Sequence, residues 1–271
     1  MLPIVKHPTF TYTQSGTEKT VSFRPIVNAD FKSIITVIEL GEKTDIYSTT
    51  LEVVKSCTGG SIDENSANHH IEECFVKLYC KSVENKTDAV YTCENAVERT
   101  ITTFEDELDT NGQQVVKSVT NKTEPCGTQQ DIKIPIDNAV VVYPQEYLDN
   151  KRIHVADDIY INMKSPSAKF ILEAMKLIDN AVDGDGEALD QSTAYNSVKS
   201  VEVGGVITHI ADVSQAEFSA WCDTLPVAAT VKMSEFIKNP PYIELKMDIV
   251  CPSCGNKTSQ HMKGLSSFFM F

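Results

Sequence analysis

The chain has 271 residues, 41% of them hydrophobic, enough for one large core or two small ones. Its 24 basic and 38 acidic side chains leave a formal charge of −14. That balance, with no Lys/Arg cluster anywhere, argues against nucleic acid and anionic membranes as partners, since both are held by concentrated positive charge.

The opening "MLPIVKHPTF" has no apolar signal region, and no run approaches the length of a bilayer span. A cytosolic location without a membrane partner is therefore expected. In that compartment eight cysteines read as thiols or metal ligands rather than as a disulfide framework. The Asn-Lys-Thr sequons at Asn85, Asn121 and Asn256 are incidental on the same reasoning.

"TFTYTQ" and "KTVSFRP" flank "SGTE", which predicts a β-hairpin closed by a glycine turn. Arg24 and Pro25 read as shaping its end. "NADFKSIITVIEL" places Phe31, Ile34, Ile35 and Ile38 on one helical face, with Asn28 or Asp30 as cap and Gly41 as stop. A second helix is expected over Tyr47 to Lys55. "ANHHIEECFVKLYCKSV" predicts a third, with Ile71, Cys74, Phe75 and Leu78 inward and His69 and His70 solvated.

From Asp88 to about Ile161 the texture turns to short strands: "AVYTC", "VVKSVT", "DIKIPI", "AVVVY" and "DIYINM". A helix follows "KSPSAKF", with Phe170, Ile171, Ala174, Leu177 and Ile178 inward. "DNAVDGDGEALD" lacks the ligand spacing of a calcium loop and reads as an exposed acidic loop. "SQAEFSAWCDTL" opens on a Ser214–Glu217 capping box and presents Phe218, Trp221, Cys222 and Leu225 on one side. Pro226 is then placed as the first residue of another helix. "PPYIELKMDIVC" alternates Ile243, Leu245, Met247 and Ile249, a half-buried strand running into cysteines.

The order predicts an α+β fold: an N-terminal β-hairpin with helices, antiparallel strands, and a C-terminal zinc-ribbon-like knuckle. Three segments are expected: 1–87, hairpin and helices; 88–164, strand-rich with an insertion at 94–125; and 165–271, helices ending in the strand and knuckle. They are read as one intertwined unit.

The knuckle is "IVCPSCGNKT". Its Cys-x-x-Cys-Gly turn aims two thiolates at one point, and a tetrahedral zinc site needs two more ligands. Cys93 ends a strand as Cys251 does, and Cys126 opens "CGTQQDIKI" as Cys254 opens "CGNKTSQHM". The candidate structural zinc site is therefore Cys93, Cys126, Cys251 and Cys254, with His209 or His261 as a possible substitute in the first pair. Cys57, Cys74, Cys80 and Cys222 read as structural. Four thiolates leave no open metal position, and no nucleotide-binding, hydrolase or metalloprotease motif occurs, so no enzyme and no small-molecule substrate are expected.

"LPIVKHPTFTYTQSGTEKTVSFRPIVNADFKSIITVIELGE", with its Leu-Pro start, Ser-x-Gly turn and Phe-Arg-Pro strand end, resembles the baseplate-hub assembly proteins of T-even-like contractile-tailed phages. "SQAEFSAWCDTLPVAATVKMSEFIKNPPYIELKMDIVCPSCGNKTSQHMKGLSSFF" is similar to the same family in its Ser-led helix, Cys-Pro-x-Cys-Gly turn and Gly-Leu-x-x-Phe-Phe ending. The stretch from Glu94 to Pro125 departs from it as an insertion. The resemblance implies a non-enzymatic hub component or assembly factor that binds other baseplate subunits, in the virion tail and in the host cytoplasm during assembly. Leu265, Phe268, Phe269 and Phe271 are then either a core edge or an intersubunit anchor. The competing readings are a zinc-ribbon adaptor of transcription machinery, which the charge of −14 disfavours, and a thiol oxidoreductase using Cys251 and Cys254.

Overall fold

The computed structural model describes residues 5–40, 42–108, 114–180 and 186–269. The fold is α+β, and the N-terminal hairpin is present. Clustering in space divides the chain into two units, the larger made of Met1–Asn85, Pro135–Leu245 and Met262–Phe271, the smaller of Lys86–Ile134 and Lys246–His261.

In the larger unit, β1 (Phe10–Thr13) and β2 (Thr20–Phe23) pair antiparallel with Phe10 opposite Phe23. Strand alternation buries Val21 and Phe23 and leaves Thr20 and Ser22 in solvent. The turn needs glycine at Gly16, where φ is +70° and a Cβ would collide with the Tyr143 hydroxyl. Arg24 ties the end of the hairpin to the two helices that follow, α1 (Asn28–Leu40) and α2 (Lys43–Cys57). It pairs with Asp30 at 2.7 Å and donates to Ser56 Oγ at 2.9 Å.

On α1 Ile34 is buried, and Phe31 and Ile38 are half-buried, but Ile35 stands 38% exposed, outside the expected face. Helix α2 begins before Tyr47 because Asp45 reaches back to the Glu42 amide at 3.4 Å and closes the first turn earlier. α3 (Asn68–Ser82) buries Ile71, Cys74, Phe75 and Leu78 as its periodicity predicts. His69 does not follow the prediction: it is only 4% exposed, its ring set against Tyr143 at a centroid distance of 5.6 Å. Buried Glu73 accepts the Ser15 amide at 3.1 Å and the Ser15 hydroxyl, fixing the hairpin turn to α3.

In the smaller unit lie β3 (Lys86–Thr92), β4 (Ala96–Leu108) and β5 (Gln114–Pro125), with most of β6 (Gln129–Pro135). The larger unit resumes with β7 (Val140–Val142), α4 (Gln145–Asp149), β8 (Arg152–Ala156), β9 (Ile159–Met163), α5 (Ala168–Asn180) and α6 (Gly186–Ser197). It continues through β10 (Val198–Val203), β11 (Val206–His209), α7 (Gln215–Cys222) and α8 (Val227–Lys238). A sheet of order β11-β10-β9-β8 packs Ile153, Ile161 and Val198 against Met233 and Phe236 of α8 and Phe218 of α7. Ser214 caps α7 as expected: its Oγ accepts the Glu217 amide at 3.3 Å, while Glu217 accepts the Ser214 amide at 3.0 Å. Trp221, Cys222 and Leu225 pack on this core. Pro226 occupies the cap position of α8 rather than its first residue.

α5 corrects the sequence reading at its far end. Phe170 is buried, and Ile171 and Ala174 are half-buried, but Leu177 and Ile178 are 62% and 60% exposed. The stretch read as an acidic loop is partly helical, since α6 starts at Gly186; residues 181–185 lie outside the described ones. The chain closes with β12 (Tyr242–Val250), β13 (Lys257–Lys263) and α9 (Leu265–Phe269). β12 buries Ile243, Leu245 and Ile249, with Met247 half-buried. Leu265 packs on the hairpin–helix core and Phe268 is fully buried, so these two side chains belong to the protein's own interior. The Phe269 side chain and Phe271 lie outside the described residues. No described helix is long and apolar enough to cross a membrane.

Candidate metal centre

Two strand pairs carry the cysteines of the smaller unit. β3 lies beside β6, and β12 beside β13. β3 delivers Cys93 at its end and β6 starts just after Cys126; β12 delivers Cys251 and β13 starts just after Cys254. The Tyr91 hydroxyl donates to Thr258 Oγ1 at 3.3 Å, and the Gln130 side-chain Nε2 to the Val250 carbonyl at 3.3 Å, stitching one pair to the other.

The two turns repeat bond for bond. The Gly127 amide donates to the Cys93 carbonyl at 2.9 Å, and the Gly255 amide to the Cys251 carbonyl at 2.9 Å. The Cys93 amide donates to Thr128 and the Cys251 amide to Asn256, again at 2.9 Å each. Gly127 and Gly255 share the left-handed conformation, φ +69° and +70°, that lets the chain reverse so tightly.

The repeat brings together all four thiols expected from the sequence. Their sulfurs lie within 4.8 Å of one another, Cys93 to Cys254 at 3.7 Å and Cys126 to Cys251 at 3.8 Å. A tetrahedral zinc with Zn–S bonds of about 2.3 Å would hold its sulfurs about 3.8 Å apart. The donor set and its edge lengths therefore fit such an ion. Cys93, Cys126 and Cys251 are buried, Cys254 half-buried. Among the described residues neither His209 nor His261 joins the cluster. Cys57, Cys74, Cys80 and Cys222 lie elsewhere, the first two buried in or beside the hairpin–helix core.

Backbone amides already favour thiolates here. Those of Cys254 and Ser253 point at the Cys251 sulfur and draw its pKa down to about 6, against the burial that raises it. The hydroxyl and amide of Thr128 lower that of Cys126. The Asn95 amide pulls the same way on Cys93, but burial and the neighbouring thiols push it up to about 11. Four adjacent thiols cannot all ionise unaided, and a dication at their centre would supply the missing positive charge.

Residues 7–270 match the family described as T4 bacteriophage base plate protein. The chain belongs to that family. No curated protein and no solved structure matches it. Membership makes this a structural component of the phage base plate, implying a place in the virion tail and association with other phage proteins.

In this base plate protein the stretch departing from the resemblance has a defined position. The β4–β5 ribbon, with Ala96 opposite Pro125, enters between Asn95 and Cys126, where the second knuckle has only Pro252 and Ser253. Its root is closed by the Cys126 amide donating to the Asn95 carbonyl at 2.7 Å and by the Arg99 guanidinium donating to the Cys126 carbonyl at 3.0 Å. The Asn95 side-chain amide also approaches Cys254 Sγ at 3.7 Å. Sequence reasoning missed Asn95, Arg99 and Thr128; only Thr128, by its match to Asn256 after the Cys-Gly step, left a signal there.

Proposed function

We propose that this chain is a non-enzymatic component of the base plate hub, or a factor that assembles it, and that it acts by binding other base plate subunits. The observation that carries this reading is the family match across residues 7–270, almost the whole chain. The thiol cluster supports the non-enzymatic part. We assign Cys93, Cys126, Cys251 and Cys254 as ligands of a structural zinc, and a metal closed by four thiolates offers no position to substrate or water. The same enclosure counts against an oxidoreductase, whose reactive thiol must be reachable, since Cys251 is buried. The charge of −14 counts against a nucleic-acid adaptor. Location in the finished tail, and in the host cytoplasm during assembly, belongs to the same proposal.

Quantitative mass spectrometry of purified tails and of base plate intermediates from infected cells tests it. Peptides of this chain should appear in one or both, in fixed ratio to hub subunits. Their absence from both would refute the reading.

A further inference from the structure

The two knuckles are not equivalent around their sulfurs. In the second, the amides of Ser253 and Cys254 both point at the Cys251 sulfur. In the first, the Asn95 amide points at the Cys93 sulfur, as that of Ser253 does at Cys251. The Cys126 amide, counterpart of that of Cys254, donates instead to the Asn95 carbonyl at 2.7 Å and closes the root of the ribbon.

The side chains differ as well. Thr128 Oγ1 lies 3.1 Å from the Cys126 sulfur, but at the matching position Asn256 turns its carboxamide to Thr258 Oγ1, also at 3.1 Å. Cys254 is served from across the cluster, by Asn95 Nδ2 at 3.7 Å from its sulfur. Of the four thiols it is also the one that is only half-buried.

We propose that Asn95 is a positioning residue of the metal centre, holding the Cys254 thiolate on the metal from the root of the β4–β5 ribbon and damping its reactivity toward electrophiles. This role rests on the zinc assignment made above.

The charges set its direction. Four thiolates outweigh a zinc dication, so the loaded centre is anionic, in a chain already at −14. A carboxamide beside such a sulfur presents its NH₂ group, because its oxygen and the thiolate would repel. The N–H draws charge from the sulfur, favouring the bound thiolate and leaving less electron density to attack an electrophile. Groups that hydrogen-bond metal ligands commonly change metal affinity by about 10- to 100-fold. The backbone of Asn95 is engaged separately, its amide on Cys93 and its carbonyl on Cys126, so its side chain can be changed without removing either bond.

The test compares zinc affinity of the full-length protein, Asn95→Ala and Asn95→Asp by competition with a chromophoric chelator. Asn95→Ala should bind about tenfold more weakly, and Asn95→Asp more weakly still. Aspartate keeps the shape of asparagine, but its carboxylate can only accept hydrogen bonds and repels a thiolate. A residue that merely fills space would give the reverse order, with Asp closer to the wild type than Ala. Limiting iodoacetamide on the zinc-loaded proteins, read by peptide mass mapping, gives a second readout. In Asn95→Ala the alkylation of Cys254 should accelerate severalfold relative to Cys93, Cys126 and Cys251. Equal acceleration at all four would mean general loosening and would overturn the role. So would a metal-bearing wild type whose variants bind zinc in any other order. A wild type that binds no zinc overturns the metal assignment and this role with it.

Discussion

Cys93 and Cys254 lie 161 residues apart in sequence, yet their sulfurs are 3.7 Å apart. Nothing local holds them there. Each sits on its own knuckle, and the knuckles meet because two strand pairs deliver them to one point. Serine at Cys93 or Cys251 is therefore expected to release the metal and unfold the smaller unit, since binding energy at such sites is folding energy. Hydrogen exchange should show protection lost across β3 and β6 and retained in α3 and β9. Uniform protection in either variant would mean that the thiols are not what holds the unit together.

Of the C-terminal aromatic residues, Phe268 has a described side chain. Phe268 is fully buried, and Phe268→Ala should cost about 3–5 kcal/mol, lowering the melting temperature by several degrees or more. The anchor proposal then falls to Phe269 and Phe271. Alanine at both should leave the melt of the isolated protein in place and reduce its incorporation into base plates. Normal incorporation of that double variant would remove the anchor.

His69 gives stability a pH dependence whose sign is fixed. Its pKa falls from the ordinary 6.5 to about 3 on folding, so the unfolded chain binds the extra proton. Its contribution is full above about pH 6.5 and declines toward pH 3, by at most about 1.4 kcal/mol per pH unit. Glu72, raised to about 7 mainly by burial, acts in the opposite sense: its contribution is present at low pH and is lost as pH rises through 7. Urea unfolding of His69→Phe should show a flatter acid limb than the wild type. An unchanged acid limb would show that this ring is solvated.

Ser214→Ala removes the side-chain half of the α7 cap and should cost about 1 kcal/mol. A pair of thermal melts checks it. A loss within error would mean that the Glu217 carboxylate alone suffices for the Ser214 end.

Much of this was legible wherever the cause is local. The hairpin follows from β-rich strands around a glycine turn, the buried face of α3 from its spacing, and the α7 cap from Ser214 and Glu217 three residues apart. The four cysteines were legible through repetition, because strand–Cys and Cys-Gly–strand each occur twice. What was not legible depends on distant partners. His69 is covered by Tyr143, which no helical period announces. Helical spacing specifies a stripe on α5 but not how far its neighbours extend, so Leu177 and Ile178 continue the stripe into solvent. The stretch read as an insertion forms the β4–β5 ribbon between Cys93 and Cys126, and its anchoring by Arg99 to the Cys126 carbonyl is a tertiary contact without a sequence signature.

The most direct test of the metal assignment is elemental analysis together with zinc K-edge absorption on protein purified without chelators. One zinc per chain with four sulfur neighbours at about 2.3 Å is the expected result. A fully folded protein that carries no metal, or a metal bound through nitrogen or oxygen, would contradict it.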